Sequence, residues 1–296
     1  MTNDMPSDNK KIFAKKSLGQ HYLSDKNAIE KIAAAVPENI PLLLEIGPGR
    51  GAITTSIYNR AEHFCVLEKD DFLFEKIQET LRIEGKERFL AWNEDALSFD
   101  YGKVWSETGL SETTPLVVAS NLPYNIATEI LLRLLRWEKR IPFMVLMFQK
   151  EVGQRLAANP NSKAYGSLSV ITQNFYHVEV LQILKPGAFR PPPKVDSIVL
   201  TFSRKEKPVI DFVNEEEFLR FEKLVRALFA YRRKTLENNL KIAGGKLPWK
   251  LLHNKEGLQE FLSAVNMDGI RRAETLSLED FSRLFRYLEK TKAGPL

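Results

Sequence analysis

The chain has 296 residues, 44% of them hydrophobic and 27% charged, a balance that supports one large or two ordinary globular domains and excludes a disordered chain. A single cysteine, Cys65, excludes an internal disulfide and fits a reducing cytoplasm. The sequence has no apolar run long enough to cross a bilayer, so a membrane partner is not expected.

The first residues, MTNDMPSDNKKIFAKKS, carry lysines with no apolar segment behind them. They read as a flexible tail over 1–14 rather than a secretory leader. Short β-rich apolar runs then alternate with helical stretches. LLLEIG (42–47) predicts a strand and AITTSIYNR (52–60) a helix. FCVLE (64–68) predicts a strand with Cys65 as a small buried hydrophobe, followed by an amphipathic helix from about Asp71 to Ile83. RFLAW (88–92) and PLVVAS (115–120) read as strands, ATEILLRLLRW (127–137) as a helix and FMVLMF (143–148) as a strand. This alternation predicts an α/β fold, a Rossmann-like parallel sheet with helices on both faces. HVEVLQIL (177–184) and DSIVLTFS (196–203) predict an antiparallel pair at one edge.

The rhythm changes after RKEKP (204–208). Phe218, Phe221, Val225, Leu228 and Phe229 recur at three- and four-residue steps, the pattern of a helix with one buried face. LQEFLSAV and LEDFSRLFRYL extend it. The expected organisation is an α/β domain over 15–205 and a small all-helical domain over 206–296. Net charge is +5, and residues 204–296 carry 19 Lys and Arg against 14 Asp and Glu, while 1–203 carry 24 of each. The positive excess therefore belongs to the helical part. It reads either as a solvated surface or as a polyanion contact.

The first strand runs into EIGPGRGAIT (45–54), where Gly47, Gly49 and Gly51 allow a tight turn and close approach of backbone to a ligand. Such a turn alone is often only a loop. Glu68 strengthens the reading, since an acid at the end of the second strand commonly binds ribose hydroxyls. Asp95, after the third strand, can accept from an adenine amine. These residues gather at the C-terminal strand ends, where doubly wound sheets bind ligands. The spacing is G-x-G-x-G and no G-K-[ST] follows, which excludes a P-loop NTPase. A nucleoside without a pyrophosphate, such as S-adenosylmethionine, fits better than NAD. The histidines, His21, His63, His177 and His253, show no metal-ligand spacing, and no metal is expected.

A second constellation is ASNLPYNIAT (119–128). Asn121 falls at the same sheet edge. Its side-chain oxygen and a backbone carbonyl can accept the two hydrogens of an adenine amine and aim the nitrogen lone pair at a sulfonium methyl. Pro123 stiffens the turn and holds Leu122 extended, presenting its carbonyl. Tyr124 can stack on a base held out of its helix. Read alone, these residues also suit an Asn-capped helix after a proline turn.

With these residues in place, the chain resembles the KsgA/RsmA family of small-subunit rRNA adenine dimethyltransferases along nearly its whole length. KKSLGQHYLSD (15–25), LEIGPGRGAIT, LEKD, NEDAL and SNLPYNIAT follow that family's successive motifs, and so do FQKEVGQRL (148–156), GAFRPPPKVDS (187–197) and LVRALFAYRRKTLENNL (224–240). The resemblance implies cofactor contacts at His21, Leu23, Gly47, Glu68, Asp95 and Asn121. It implies a catalytic set of Asn121, Leu122, Pro123 and Tyr124. The implied reaction is transfer of four methyl groups from S-adenosylmethionine to two adjacent adenosines in the 3′-terminal hairpin loop of 16S rRNA. The implied substrate is a nearly mature small subunit, met in the cytoplasm by a monomer. Arg232, Arg233 and Lys234, with Arg271 and Arg272, are expected to meet RNA phosphates, and PPPKVDS to shape a rigid loop beside the target pocket. His21, Tyr22, Arg50 and Ala127 depart from the commoner Asn, Phe, Leu and Ser. The rival readings are an Erm-like enzyme of large-subunit rRNA and a non-catalytic rRNA-binding assembly factor.

Overall fold

A computed structural model of the chain describes residues 21–83 and 89–292. The expected tail over 1–14 and the first part of the KKSLGQHYLSD motif lie outside the described residues. A seven-stranded sheet has the order β4-β3-β2-β5-β6-β9-β7. Its strands are β2 (Ile40–Ile46), β3 (Ala61–Leu67), β4 (Phe89–Trp92), β5 (Leu116–Asn121), β6 (Phe143–Gln149), β7 (Tyr176–Leu184) and β9 (Ser197–Arg204). Neighbours from β4 to β6 run parallel, and β9 is antiparallel to both β6 and β7. A separate two-stranded sheet pairs β1 (Tyr22–Leu23) with β8 (Phe189–Arg190). Among the described residues no helix is long and apolar enough to cross a membrane.

The central strands are largely apolar because both faces are covered. Along β2, Leu42, Leu44 and Ile46 enter one core with α5 (Ala127–Leu135), while Leu43 enters the other with α1 (Lys26–Ala35), α2 (Thr54–Ile57) and α3 (Asp71–Ile83). Helices α4 (Lys103–Ser106), α6 (Lys150–Leu156) and α7 (Ser167–Gln173) complete the α/β part. The expected antiparallel pair is present. Its outer member is β7, whose Val180 and Ile183 are exposed, whereas Ile198, Val199 and Leu200 of β9 are buried between neighbours.

One expected helix is much shorter than its apolar pattern. Segment 52–60 forms only the single turn of α2, followed by a 3-10 turn over Tyr58–Arg60. Ile53, Thr54, Thr55 and Ile57 are β-branched and poor helix formers, and the Thr54 hydroxyl is used by a buried acid rather than left to the helix surface. Asn121 is the last residue of β5 rather than the first after it.

Beyond β9 come α8 (Glu215–Leu228), α9 (Leu236–Ala243), α10 (Lys255–Ala264) and α11 (Leu278–Lys292). Asn214, Thr235 and Asn254 cap α8, α9 and α10 through their side-chain oxygens. Phe218, Phe221 and Phe285 belong to the same continuous core as Leu134 and Phe175 of the α/β part. Asn174 Nδ2 donates to the Ile210 carbonyl at 2.9 Å and its Oδ1 accepts from Ile210 N at 2.8 Å, pinning the connecting segment.

Candidate active site

The site forms where β2, β3, β4 and β5 end. The turn after β2 places Gly47, Gly49 and Gly51 at φ of 66°, 58° and 75°, a region that side chains disfavour. Gly49 is needed for space as well, since a Cβ there would lie 3.1 Å from the Tyr22 ring. This turn points its backbone at Glu68. Gly49 N donates to Glu68 Oε2 at 3.0 Å and Asp70 N donates to Oε1 at 2.9 Å. Each carboxylate oxygen thus keeps acceptor capacity for a further hydroxyl. Burial pushes the Glu68 carboxyl above its usual range, and the two backbone donors partly offset that.

Asp95 is held differently. Lys69 Nζ donates to Oδ2 at 2.7 Å and Leu97 N to Oδ1 at 2.9 Å. The Lys69 bond, then the Leu97 bond, hold its carboxyl below the usual range. A firmly ionised, half-exposed acid at the cleft wall suits an amine donor.

A third acid was not singled out from the sequence. Glu45 of β2 lines the same cleft and is 1% exposed. Burial pushes it up to about 8, against the Thr54 hydroxyl that donates to Oε2 and with reinforcement from Glu68. It is therefore a neutral acid at neutral pH. The one available signal was a charge inside the buried run LLLEIG.

On the other side of the cleft, Asn121 Nδ2 donates to the His21 carbonyl at 3.2 Å. A carbonyl can only accept, so this contact turns the amide and leaves Oδ1 as the free acceptor. Leu122 is buried, and the Pro123 ring abuts Gly47, whose Cβ would lie 3.7 Å from Cδ. Tyr124 Oη hydrogen-bonds Ser197 Oγ at the end of PPPKVDS. Burial raises the phenol, so the ring stays neutral.

The small β1–β8 sheet closes the arrangement, pairing Tyr22 with Arg190 and Leu23 with Phe189. It brings His21 against Tyr124, ring centroids 5.7 Å apart and nearly parallel at 28°, with Nδ1 3.0 Å from the Pro191 carbonyl. His21, Leu23, Gly47, Glu68, Asp95, Asn121, Leu122, Pro123 and Tyr124 therefore line one cleft. The supporting roles of Ser197, Lys69 and the His21 carbonyl carried no local signal, because each depends on a partner far away in sequence.

The basic residues stand apart from this cleft, on the loop between α8 and α9 and before α11. Arg232 pairs with Glu274 at 2.9 Å and Lys234 lies over the Tyr231 ring at 5.8 Å. Arg271 is held within its own segment, donating to the Thr275 carbonyl at 2.7 Å and pairing with Asp280 at 3.1 Å. Arg233 and Arg272 are exposed.

The family model described as ribosomal RNA adenine dimethylase matches residues 12–289. A protein named ribosomal RNA small subunit methyltransferase A from Staphylococcus haemolyticus is 40% identical over 92% of this chain and 88% of its own length. One of the same name from Geobacter sulfurreducens is 41% identical over 94% of this chain and 96% of its own. Among solved structures, a dimethyladenosine transferase from Plasmodium falciparum superposes with a TM-score of 0.75 at 24% identity, covering 92% of this chain and 98% of that one. The 23S rRNA methyltransferase ErmE gives 0.62 at 22% identity, covering 90% and 99%. At such identities these two likenesses establish the fold, a Rossmann-like sheet, and the sequence matches over most of the chain establish the rest: the chain belongs to the ribosomal RNA adenine dimethylase family.

Proposed function

We propose that this chain dimethylates the N6 amines of two adjacent adenosines in the 3′-terminal hairpin loop of 16S rRNA, using S-adenosylmethionine and acting on a nearly mature small subunit. The observation that carries this reading is Asn121, whose amide nitrogen is taken up by the His21 carbonyl, leaving Oδ1 as its acceptor, on a residue that lines one cleft with the glycine turn and Glu68. The cleft fits a nucleoside cofactor. Glu68 retains acceptor capacity for ribose hydroxyls, Asp95 is an ionised acceptor for an adenine amine, and the left-handed glycine turn lets backbone approach the ligand. When bound, the cofactor supplies an electrophilic methyl on a sulfonium.

This chain's residues do the remainder. Tyr124, anchored by Ser197, offers a neutral ring against which a flipped base stacks. Asn121 Oδ1 and the Leu122 carbonyl accept the two amine hydrogens, drawing the nitrogen out of conjugation and directing its lone pair. Pro123 fixes the turn that presents both acceptors. The work is positioning and electrostatics, and no strong base is required.

Arg232, Arg233, Lys234 and Arg272 serve RNA phosphates from a C-terminal domain over 206–296, beside a catalytic domain over 15–205. Arg271 sits among them but is committed to internal partners, so its part is to hold the loop. The enzyme works as a monomer in the cytoplasm. The test is methyl transfer from labelled S-adenosylmethionine to small subunits lacking these modifications, with digestion and mass spectrometry of the rRNA. Dimethyladenosine in the hairpin, lost with Asn121→Ala, is expected. Binding without transfer, or transfer to large-subunit RNA alone, overturns the reading.

A further inference from the structure

Two residues that depart from the commoner Phe and Leu of the resembled motifs, Tyr22 and Arg50, stand in contact although 28 positions separate them in the chain. Tyr22 belongs to β1 and Arg50 to the glycine turn. The Arg50 guanidinium carbon lies 4.6 Å from the Tyr22 ring centroid, over the face of the ring. An arginine there adds a cation–π attraction that a leucine lacks. It also hydrogen-bonds the Tyr22 hydroxyl, which a phenylalanine lacks.

The ring is seated on the same turn. A Cβ added at Gly49 would lie 3.1 Å from Tyr22 Cε1 and 3.2 Å from Cδ1, and Tyr22 is only 8% exposed. Burial pushes the Tyr22 phenol above its ordinary value. The Arg50 charge and hydrogen bond partly offset this, while Asp70 and Glu68 reinforce it. Tyr22 therefore stands beside Glu68, the acid that faces the cofactor ribose in the reading above.

What Tyr22 carries gives the contact its consequence. His21, Tyr22 and Leu23 form a wall of the active-site cleft, and Arg50 lines the same cleft. The β1–β8 sheet pairs only two residues on each side, and beyond them Ser24 N and Asp25 N both reach the Ala188 carbonyl, at 2.8 and 3.3 Å. So short a ladder holds weakly by itself. The Arg50–Tyr22 pair ties it to the glycine turn.

We propose that Arg50 is a positioning residue, latching β1 to the glycine turn through Tyr22 and so setting how long the cofactor stays in the cleft. The assignment deepens the methyl-transfer reading and rests on it. Each transfer leaves S-adenosylhomocysteine, which must depart before the next donor enters. A wall tied down by one partly exposed pair can open for that exchange and close again.

The test measures release of S-adenosylhomocysteine from the full chain by stopped flow. Arg50→Leu should release it about two- to fivefold faster than wild type, the range for one exposed cation–π pair. Arg50→Lys, which keeps a cation at the ring, should stay nearer wild type. The Arg50 side chain is exposed, so neither change threatens folding. In a double-mutant cycle with Tyr22→Leu, Arg50→Leu should add little, because the two residues act as one contact. Wild-type release rates in Arg50→Leu, from a chain that binds cofactor and methylates the subunit, overturn the latch and leave the methyl-transfer reading standing. Arg50→Lys releasing as fast as Arg50→Leu removes the cation as the cause, and additive effects in the cycle remove Tyr22 as its partner; either overturns the latch. Wild type that binds neither S-adenosylmethionine nor S-adenosylhomocysteine overturns both readings.

Discussion

Single residues decide the chemistry here, and two of them make separable predictions. Ser197 holds the Tyr124 hydroxyl, so Ser197→Ala removes the anchor without touching a proposed substrate contact. Methyl transfer should fall in kcat/KM by roughly tenfold, about the 1.4 kcal/mol of a positioning hydrogen bond, while cofactor affinity by calorimetry stays unchanged. Glu45 predicts a pH effect. Its ordinary value is near 4.5 and the folded chain pushes it up to about 8. The folded state therefore keeps a proton that the unfolded state releases. Stability from this group is full below about pH 4.5, falls as pH rises towards about 8, and then levels. Urea unfolding across that window should show a loss on the order of a few kcal/mol that Glu45→Gln flattens. A variant that retains the same decline would remove Glu45 as its source.

At the scale of elements, the site is a set of strand ends joined by turns that tolerate little change. Gly49 combines a φ of 58° with the Tyr22 ring at 3.1 Å from a would-be Cβ. Gly49→Ala must strain the turn and push Tyr22 away, and its N–H can no longer meet Glu68 squarely. Cofactor affinity should fall at least tenfold, with a stability loss of about 1 to 3 kcal/mol. Unchanged affinity would mean that the turn does not shape the cofactor site. The two-residue strands β1 and β8 show how far this level was legible. Neither YL nor FR has a pattern, because strands that short have no periodicity to read. Their pairing still delivers His21 to Asn121 and Tyr124. By contrast β2, β3, β5 and β6 were plain, since burial on both faces demands near-continuous apolar runs. Segment 52–60 misled because its apolar spacing is that of a helix while its β-branched residues and the buried Thr54–Glu45 bond stop it after one turn.

Across the whole molecule, the α/β part and the C-terminal helices share one apolar core rather than a chain of ion pairs. Arg136–Glu215, at 2.9 Å, leaves side chains 37% and 56% exposed. Arg136→Ala should shift stability by less than about 1 kcal/mol. Phe212 and Phe218 pack on Phe175 with ring centroids 5.8 and 5.7 Å apart, and Phe218→Ala should cost about 3 to 5 kcal/mol. Denaturant midpoints of the two variants compare these directly; equal effects would refute the core as the main link.

The sequence by itself determined the Rossmann-like sheet, the change to helices after the last strand, and most of the cleft. Those features rest on local periodicity and on short motifs, each contiguous in the chain and each placed at the end of a legible strand. Tertiary structure alone decided the direction of the Asn121 amide, the neutral state of Glu45 and the anchoring of Tyr124 by Ser197. Each depends on a partner, or on burial, supplied by elements distant in sequence. A hydrogen bond or a desolvated charge is a property of the assembled neighbourhood, and no spacing along the chain encodes it.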